Sequence, residues 1–598
     1  MTDSSQSPLP PARAVSVPGD LPTAGPADPD PAPPLAPIGP PPIGPITTRS
    51  LIAGLVLSLV LCAMNSYLTL SFGVIEEGPT IAALFFFAIF FLSRTKITTT
   101  EMVIVATMGS AGGSLGFIAN FYAAKAMTGT PYSVLDMTLF GIVSSLVGLV
   151  MVIPLRQILI LKDKLPWPGA KAVESVIRAL VEHGDPKQPK ILLMTFVACA
   201  TYVVFNTDGP FQVFPTETTI AMAGATGIAI AWSPFAIGGS YLMGMRTCVG
   251  FLFGAIALIV LAPYMPEAVG DNPALYHEQP NKYYWPGLGF LVASGLTVMA
   301  INWRTLAGAF RSMLALGGTT DDDDPLLTRR VMIAFATVAF TLTVFVLDWR
   351  FAIPFWMSLA LILVGGLIQN IIATRAAAQT AFNPARVMGI LLQGVTSAMG
   401  GSQVATNLTG AGFVAGSGAQ AGLLTNDLVY GRAFKTPSRW QFWTQAVTVI
   451  PCALVSAFAF MLIHESKPLV LTGEGGHPAP VAKMWAESAK VFEGGVHSLP
   501  STAITWLLAG AAVGVVYTLL EHIPRIRAWM PEAIGVGLGL VLAPSVDISF
   551  FIGGFLLWIV LGRWAKVRDT TLTTIAVGAI VGEGIGGVLQ SGLAHLFQ

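Results

Sequence analysis

Apolar runs long enough to cross a bilayer as helices, about 17–25 residues, recur along the chain from residue 51 onward. They lie near 51–72, 76–92, 102–122, 136–161, 191–206, 217–232, 234–262, 288–303, 331–347, 352–373, 386–400, 403–424, 441–463, 501–520, 531–543, 547–562 and 573–596. The pattern predicts an all-α polytopic membrane protein of about 16–17 transmembrane or half-membrane helices. The runs at 217–232, 386–400 and 531–543 carry or adjoin Gly and Pro, so they read as half-helices or re-entrant segments. The stretch 166–183 is amphipathic, with Lys171, Glu174 and Arg178, and fits an interfacial or re-entrant helix.

Composition supports this picture. The 598 residues are 54% hydrophobic and 11% charged, with a mean hydropathy of +0.69, where soluble proteins carry about 25% charged residues. Lys plus Arg equals Asp plus Glu at 32 each, so no basic excess marks nucleic acid as a partner. Cys62, Cys199, Cys248 and Cys452 lie in apolar runs without metal-ligand spacing and read as small core residues. The first 45 residues hold 15 prolines and read as a disordered, partly extended tail, so insertion is expected to begin with the first membrane helix.

Loop charge gives an orientation. The loops on one side collect 22 Lys and Arg residues and those on the other side 6. Positive residues resist translocation, so the tail is expected to be cytoplasmic and the connections 263–287 and 464–500 external. The runs from 51, 76, 102, 136, 191, 217, 234 and 288 are echoed at offsets near 300 by those from 352, 386, 403, 441, 501, 531, 547 and 573. With the single helix 331–347 between them, the two repeated halves would be inverted, the layout of secondary transporters. The expected organisation is a tail at 1–45, a first half at 46–310, a linker and connecting helix at 311–350, and a second half at 351–598.

Polar groups inside hydrocarbon are costly and generally face a cavity, a partner or a substrate path. Glu583, flanked by glycines in VGEGIGG, is the first candidate for a proton-linked carboxylate; a structural hydrogen-bond pair between helices is an equal reading. Glu76 and Glu77, at an external turn, are further proton-coupling candidates. Arg246, about twelve residues into its run, is expected near the bilayer centre, held by a carboxylate, by helix carbonyls or by an anionic substrate group. Asn65, Tyr67, Gln369 and Asn370 can donate and accept at once, and Gln393, Gln403, Thr406, Asn407 and Thr409 extend that polar seam. These residues suit either substrate recognition or interhelical packing.

Glu101, at a helix start, reads as a cap, and Asp321 to Asp324 as a solvated linker. The seven histidines show no ligand spacing, so neither a metal site nor a cofactor is expected. No G-x-x-x-x-G-K-[ST] loop serves a pump and no H-E-x-x-H an intramembrane protease, and Ser110 and Ser417 lack a histidine partner. An intramembrane enzyme and a channel are the alternatives to a carrier.

Several motifs, in order, carry a resemblance: TTRSLIAGLVLSLVLCAMNSYLTLSFG, TTTEMVIVATMGSAGGSL at 98–115, IPLRQILILKDKLPWPGAKAVESVI at 153–177, SPFAIGGSYLMGMR, FNPARVMGILLQG, MPEAIGVGLGLVLAPSVDISFFIGG and GEGIGG. Over about residues 48–598 the chain resembles the oligopeptide transporter family, which includes the yellow-stripe-like metal–chelate carriers. Asn-Pro-Gly and Lys-Ile-Pro-Pro-Arg, which mark the eukaryotic peptide-transporting branch, are absent, with Asn383-Pro384-Ala385 the nearest approach. The resemblance is therefore closer to the prokaryotic and yellow-stripe-like branch. It implies proton-coupled uptake of short peptides, peptide-like compounds or metal chelates. The protein is expected in a bacterial inner membrane, without catalysis and with an oligomer possible.

Overall fold

A computed structural model describes residues 44–597 apart from 74–77, 93–95, 130, 163, 184–186, 224–225, 262–263, 265–284, 302, 304–323, 381–384, 468, 470–478 and 495–500. The Pro-rich tail, Glu76, Glu77, Asn383-Pro384 and Asp321 to Asp323 lie outside the described residues. The helices are α1 (Thr48–Phe72), α2 (Pro79–Leu92), α3 (Thr99–Phe117), α4 (Ala119–Met127), α5 (Val134–Leu155), α6 (Pro168–His183), α7 (Lys187–Val204), α8 (Pro234–Met243), α9 (Met245–Leu261), α10 (Trp285–Ile301) and α11 (Arg329–Phe351). They continue as α12 (Phe355–Ala360), α13 (Asn370–Thr380), α14 (Ala385–Ala398), α15 (Val404–Ala433), α16 (Ser438–Ser466), α17 (Pro480–Gly494), α18 (Ser501–Glu521), α19 (Ala533–Gly539), α20 (Pro544–Gly554) and α21 (Asp569–Phe597). Among the described residues, eight helices or continuous helical stretches are long and apolar enough to cross a membrane, with shorter apolar helices beside them. The chain is an all-α polytopic membrane protein.

Sequence sets the helix starts. Thr47 and Thr98 close capping boxes at α1 and α3, satisfying backbone donors that would otherwise be orphaned. Glu101 joins these two starts: it accepts from Arg49 Nε and Nη2, both at 2.7 Å, and from Thr47 Oγ1 at 2.5 Å. Its expected capping role is therefore met.

The centre of the bundle is built from α1, α3, α5, α15 and α16. An 18-residue window within Thr99–Met127 is completely enclosed, whereas only 17% of the Ile504–Glu521 window is buried. Peripheral helices turn Phe345, Trp349, Val338 and Val516 outward, as a protein bathed in lipid tails does. Helix contacts rely on small residues that let backbones approach. A Cβ at Gly510 would collide with the backbone carbonyl of Pro286, and one at Gly116 with Asn65.

Two expectations about helices are corrected. The run 217–232 is a β-hairpin, with β1 (Glu217–Ala223) antiparallel to β2 (Thr226–Ala231). Its Thr-rich, Gly-interrupted sequence disfavours helix, and pairing two short strands satisfies most of the backbone groups that a broken helix would expose. The run 234–262 is two helices, because Gly244 adopts a φ of +87°, a backbone that ends α8 and restarts the chain as α9. The connection 464–500, expected as a loop, contains α17, packed against α4, α14 and α15.

Candidate substrate cavity

A cavity of about 420 Å³ opens between α1, α7, α8, α16, α21 and the base of the hairpin. Its deepest charged group is Glu583, near the middle of the 29-residue α21 and buried. Glycines flanking Glu583 let α1 and α7 close on this helix: Gly587 faces the ring of Tyr67, and Gly582 faces Cys199.

Glu583 is held by the start of α8. Its Oε2 accepts from Ser233 Oγ at 2.7 Å and from the backbone N–H of Phe235 at 2.5 Å. Ser233 is the N-cap of α8, accepting from Ala236 N at 3.0 Å, and Pro234 occupies the first helical position, where its missing N–H costs nothing. A carboxylate is favoured there because the exposed N–H groups and the helix dipole both present positive charge. α8 has only 10 residues, about 15 Å of helix, so this anion-binding terminus lies within the bundle.

Other walls are polar. Gln590, two turns beyond Glu583, donates to Val203 O at 2.7 Å and to Asn206 Oδ1 at 2.6 Å, fixing α21 to the end of α7. Lys467 Nζ lies 3.9 Å from Asp208 Oδ2, both about half exposed, at the end of the bundle where the 464–500 connection starts. Tyr202 OH donates to Pro215 O at 2.7 Å, bracing the hairpin approach. Phe72 lines the cavity and is backed by an aromatic cluster. Phe72 and Phe235 have ring centroids 4.3 Å apart, and Phe550 lies 5.6 Å from Phe235 and 4.4 Å from Phe251.

The residues singled out from the sequence separate into distinct places. Glu583 and Tyr67 share the cavity. Asn65 is turned toward α3, with Nδ2 donating to Leu61 O at 2.9 Å. Asn370 Nδ2 donates to Ser417 Oγ at 3.3 Å; its neighbour Gln369 is buried with neither amide atom bonded. Gln393 and Asn407 form another cluster: Asn407 Nδ2 donates to Gln393 O at 2.7 Å, and Gln393 Nε2 to Trp485 O at 2.9 Å. Gln403 is the exposed N-cap position of α15.

Arg246, expected near the bilayer centre, is instead the second residue of α9. It is 39% exposed, donates to Met530 O and Arg527 O at 3.0 and 3.1 Å, and lies 3.6 Å from Glu521 and 3.8 Å from Glu532. The helix break at Gly244 explains this: depth counted along an unbroken run does not apply. Among the described residues, no group of three His, Cys, Asp or Glu side chains is disposed to hold a metal.

Sequence reasoning passed over Ser233, Asn206 and Gln590. Two signals were available. Ser-Pro opening an apolar run is an N-cap followed by a first-turn proline, and Gln590 lies seven residues from Glu583, on the same helix face.

Residues 45–594 match the family model described as OPT oligopeptide transporter protein. A Haemophilus influenzae protein provisionally named an oligopeptide transporter is 22% identical over 88% of this chain and 91% of its own length. A probable metal-nicotianamine transporter of Oryza sativa subsp. japonica is 23% identical over 90% of this chain and 89% of its own length. A Saccharomyces cerevisiae protein provisionally named an oligopeptide transporter is 26% identical over 38% of this chain and 32% of its own length. The chain therefore belongs to the OPT oligopeptide transporter family.

Proposed function

We propose that this protein is a secondary active, proton-coupled importer of short peptides or metal chelates, and that Glu583 carries the coupling proton. The observation that carries the reading is Glu583 bound to the N-terminus of the half-length helix α8 at the head of a cavity. While ionised, Glu583 occupies the Phe235 N–H and the Ser233 hydroxyl. A protonated carboxyl is a weaker acceptor, so protonation frees the α8 terminus to take another anion. The carboxylates of peptides and chelates suit that terminus. Proton binding and carboxylate binding then favour one another.

The relatives' names, oligopeptide transporter and metal-nicotianamine transporter, agree with both substrate classes. The 22-to-6 loop-charge count favours a cytoplasmic N-terminus in a bacterial inner membrane. On that orientation the cavity, bounded by Ser466 and Lys467, faces outward. The offset near 300 favours two inverted halves that exchange this state for an inward-facing one. Tyr67 is assigned to the substrate cavity. The sites of Asn65, Gln369, Asn370, Gln393, Gln403, Asn407 and Arg246 read better as helix packing and pairing, and Glu76 and Glu77 are retained as secondary proton candidates.

Purified protein in liposomes tests this. Uptake of labelled di- and tripeptides or iron and zinc chelates is expected to accelerate when the outer solution is acidified, and to carry protons inward. Uptake indifferent to the gradient, or conductance without substrate, would point to a channel instead.

A further inference from the structure

Asp427 of α15 lies apart from the cavity, in the interface of α3, α15 and α16. Its side chain is fully buried, and among the described residues neither Oδ1 nor Oδ2 makes a well-formed hydrogen bond. Ser110 of α3 and Tyr430, one turn along α15, stand beside the carboxyl. The Tyr430 hydroxyl is 3.5 Å from Thr107 Oγ1.

Gln441 of α16 completes the group. Its Nε2 donates to Thr107 Oγ1 at 2.9 Å and to the backbone carbonyl of Asp427 at 2.8 Å. A carbonyl oxygen only accepts, so this contact fixes which end of the amide faces Asp427. Oε1 is left without a donor among the described residues. Gly431 provides the room, since a Cβ there would strike the Gln441 amide.

Two carboxylate oxygens are thus buried with hydroxyls beside them and, among the described residues, no positive charge to balance them. Ser110 and Tyr430 can turn hydroxyls toward Asp427, yet they are neutral. An ionised carboxylate so placed takes up a proton or a cation rather than stay bare. The other groups around α15 do not supply the charge. Tyr430 is the titratable side chain that faces Asp427, and α3 and α16 present hydroxyls and amides. On α6, Arg178 pairs with Glu174 at 2.8 Å and stacks on Phe434, and Lys171 makes no ion pair with Asp427. Asp136 and Arg156 of the α5 stretch pair with Arg350 and Asp324, and Lys125, Lys483 and Glu487 belong to α4 and α17, packed toward the other end of α15.

We propose that Asp427, with Ser110 and Tyr430, forms a second ion site that holds one monovalent positive charge, a proton or Na⁺, separate from Glu583. A single carboxylate with hydroxyl oxygens suits one unit of charge better than a divalent metal. The site couples three central helices, so its loading state bears on how they pack. It extends the Glu583 reading without depending on it.

The test needs no substrate. Infrared spectra of the full chain in liposomes are expected to contain a protonated-carboxyl band that shifts in D₂O and disappears in Asp427→Asn, if the charge is a proton. If it is Na⁺, the thermal midpoint of the wild type rises in NaCl relative to equal choline chloride, and Asp427→Asn loses the rise. Asp547→Asn, which removes the other fully buried aspartate on α20, leaves the Asp427 signal in place. Should Asp427→Asn fail to fold, Ser110→Ala keeps the carboxyl, and a displaced band or weakened Na⁺ response supports the site. The proposal is overturned if the Asp427→Asn spectrum and salt response match the wild type, or if Ser110→Ala changes neither.

Discussion

Lys483 offers a quantitative test of the packing around α17. Its side chain is 2% exposed, and Nζ has no hydrogen-bond partner. Burial pushes the amine down from 10.5 to about 7. Between those two values the unfolded chain binds a proton that the folded protein does not, so stability rises with pH across that window. Below pH 7 the folded state must bury a charged ammonium, at a cost of roughly 5 kcal/mol from about 1.4 kcal/mol per pH unit. Lys483→Met removes that cost while keeping an unbranched chain of similar volume. Unfolding of purified wild type and variant, followed by tryptophan fluorescence across pH 6–10, should find the variant more stable by the largest margin near pH 6. The margin should shrink steadily toward pH 10. A variant no more stable than wild type at pH 6, or a gap that does not depend on pH, would refute a buried, unpaired ammonium at this position.

Three other substitutions probe the cavity and the helix starts. Gly587→Val drives a side chain into the Tyr67 ring; uptake should fall sharply and stability by roughly 1–3 kcal/mol, as for other overpacked sites, read by transport and thermal unfolding. Ser233→Ala removes both the α8 cap and a donor to Glu583; it should cost about 1 kcal/mol and slow gradient-driven uptake in liposomes at equal protein content. Glu101→Gln weakens the ion pair with Arg49 and the capping box; a loss of about 1–3 kcal/mol with unchanged uptake kinetics per folded molecule is expected.

Much of the helical order was readable because bilayer thickness leaves few solutions. Long apolar runs became helices, Thr98 and Glu101 became a cap, and the Gly- and Pro-bearing run from 531 to 543 became the short α19. The hairpin at 217–232 was not readable from its periodicity, which in a short apolar run does not separate strand from helix, although its Thr and Gly residues pointed away from helix. α17 was hidden for the opposite reason: Lys483 and Glu487 interrupt its apolar positions, whereas packing against α4, α14 and α15 buries both. Arg246 lies at a helix start rather than in mid-helix because one glycine with a left-handed backbone divides its run. Glu583 stood out as a lone acid among glycines. Its partners did not, because Ser233 lies 350 residues away and only folding brings α8 to α21.

The central claim is that Glu583 exchanges a proton while the α8 terminus takes the substrate's carboxylate. The most direct measurement compares two modes of transport by Glu583→Gln in the same liposomes. Uptake driven by an inward proton gradient should be abolished, while exchange of labelled for unlabelled substrate without a gradient persists. Gradient-driven uptake at the wild-type rate and proton stoichiometry would contradict the account.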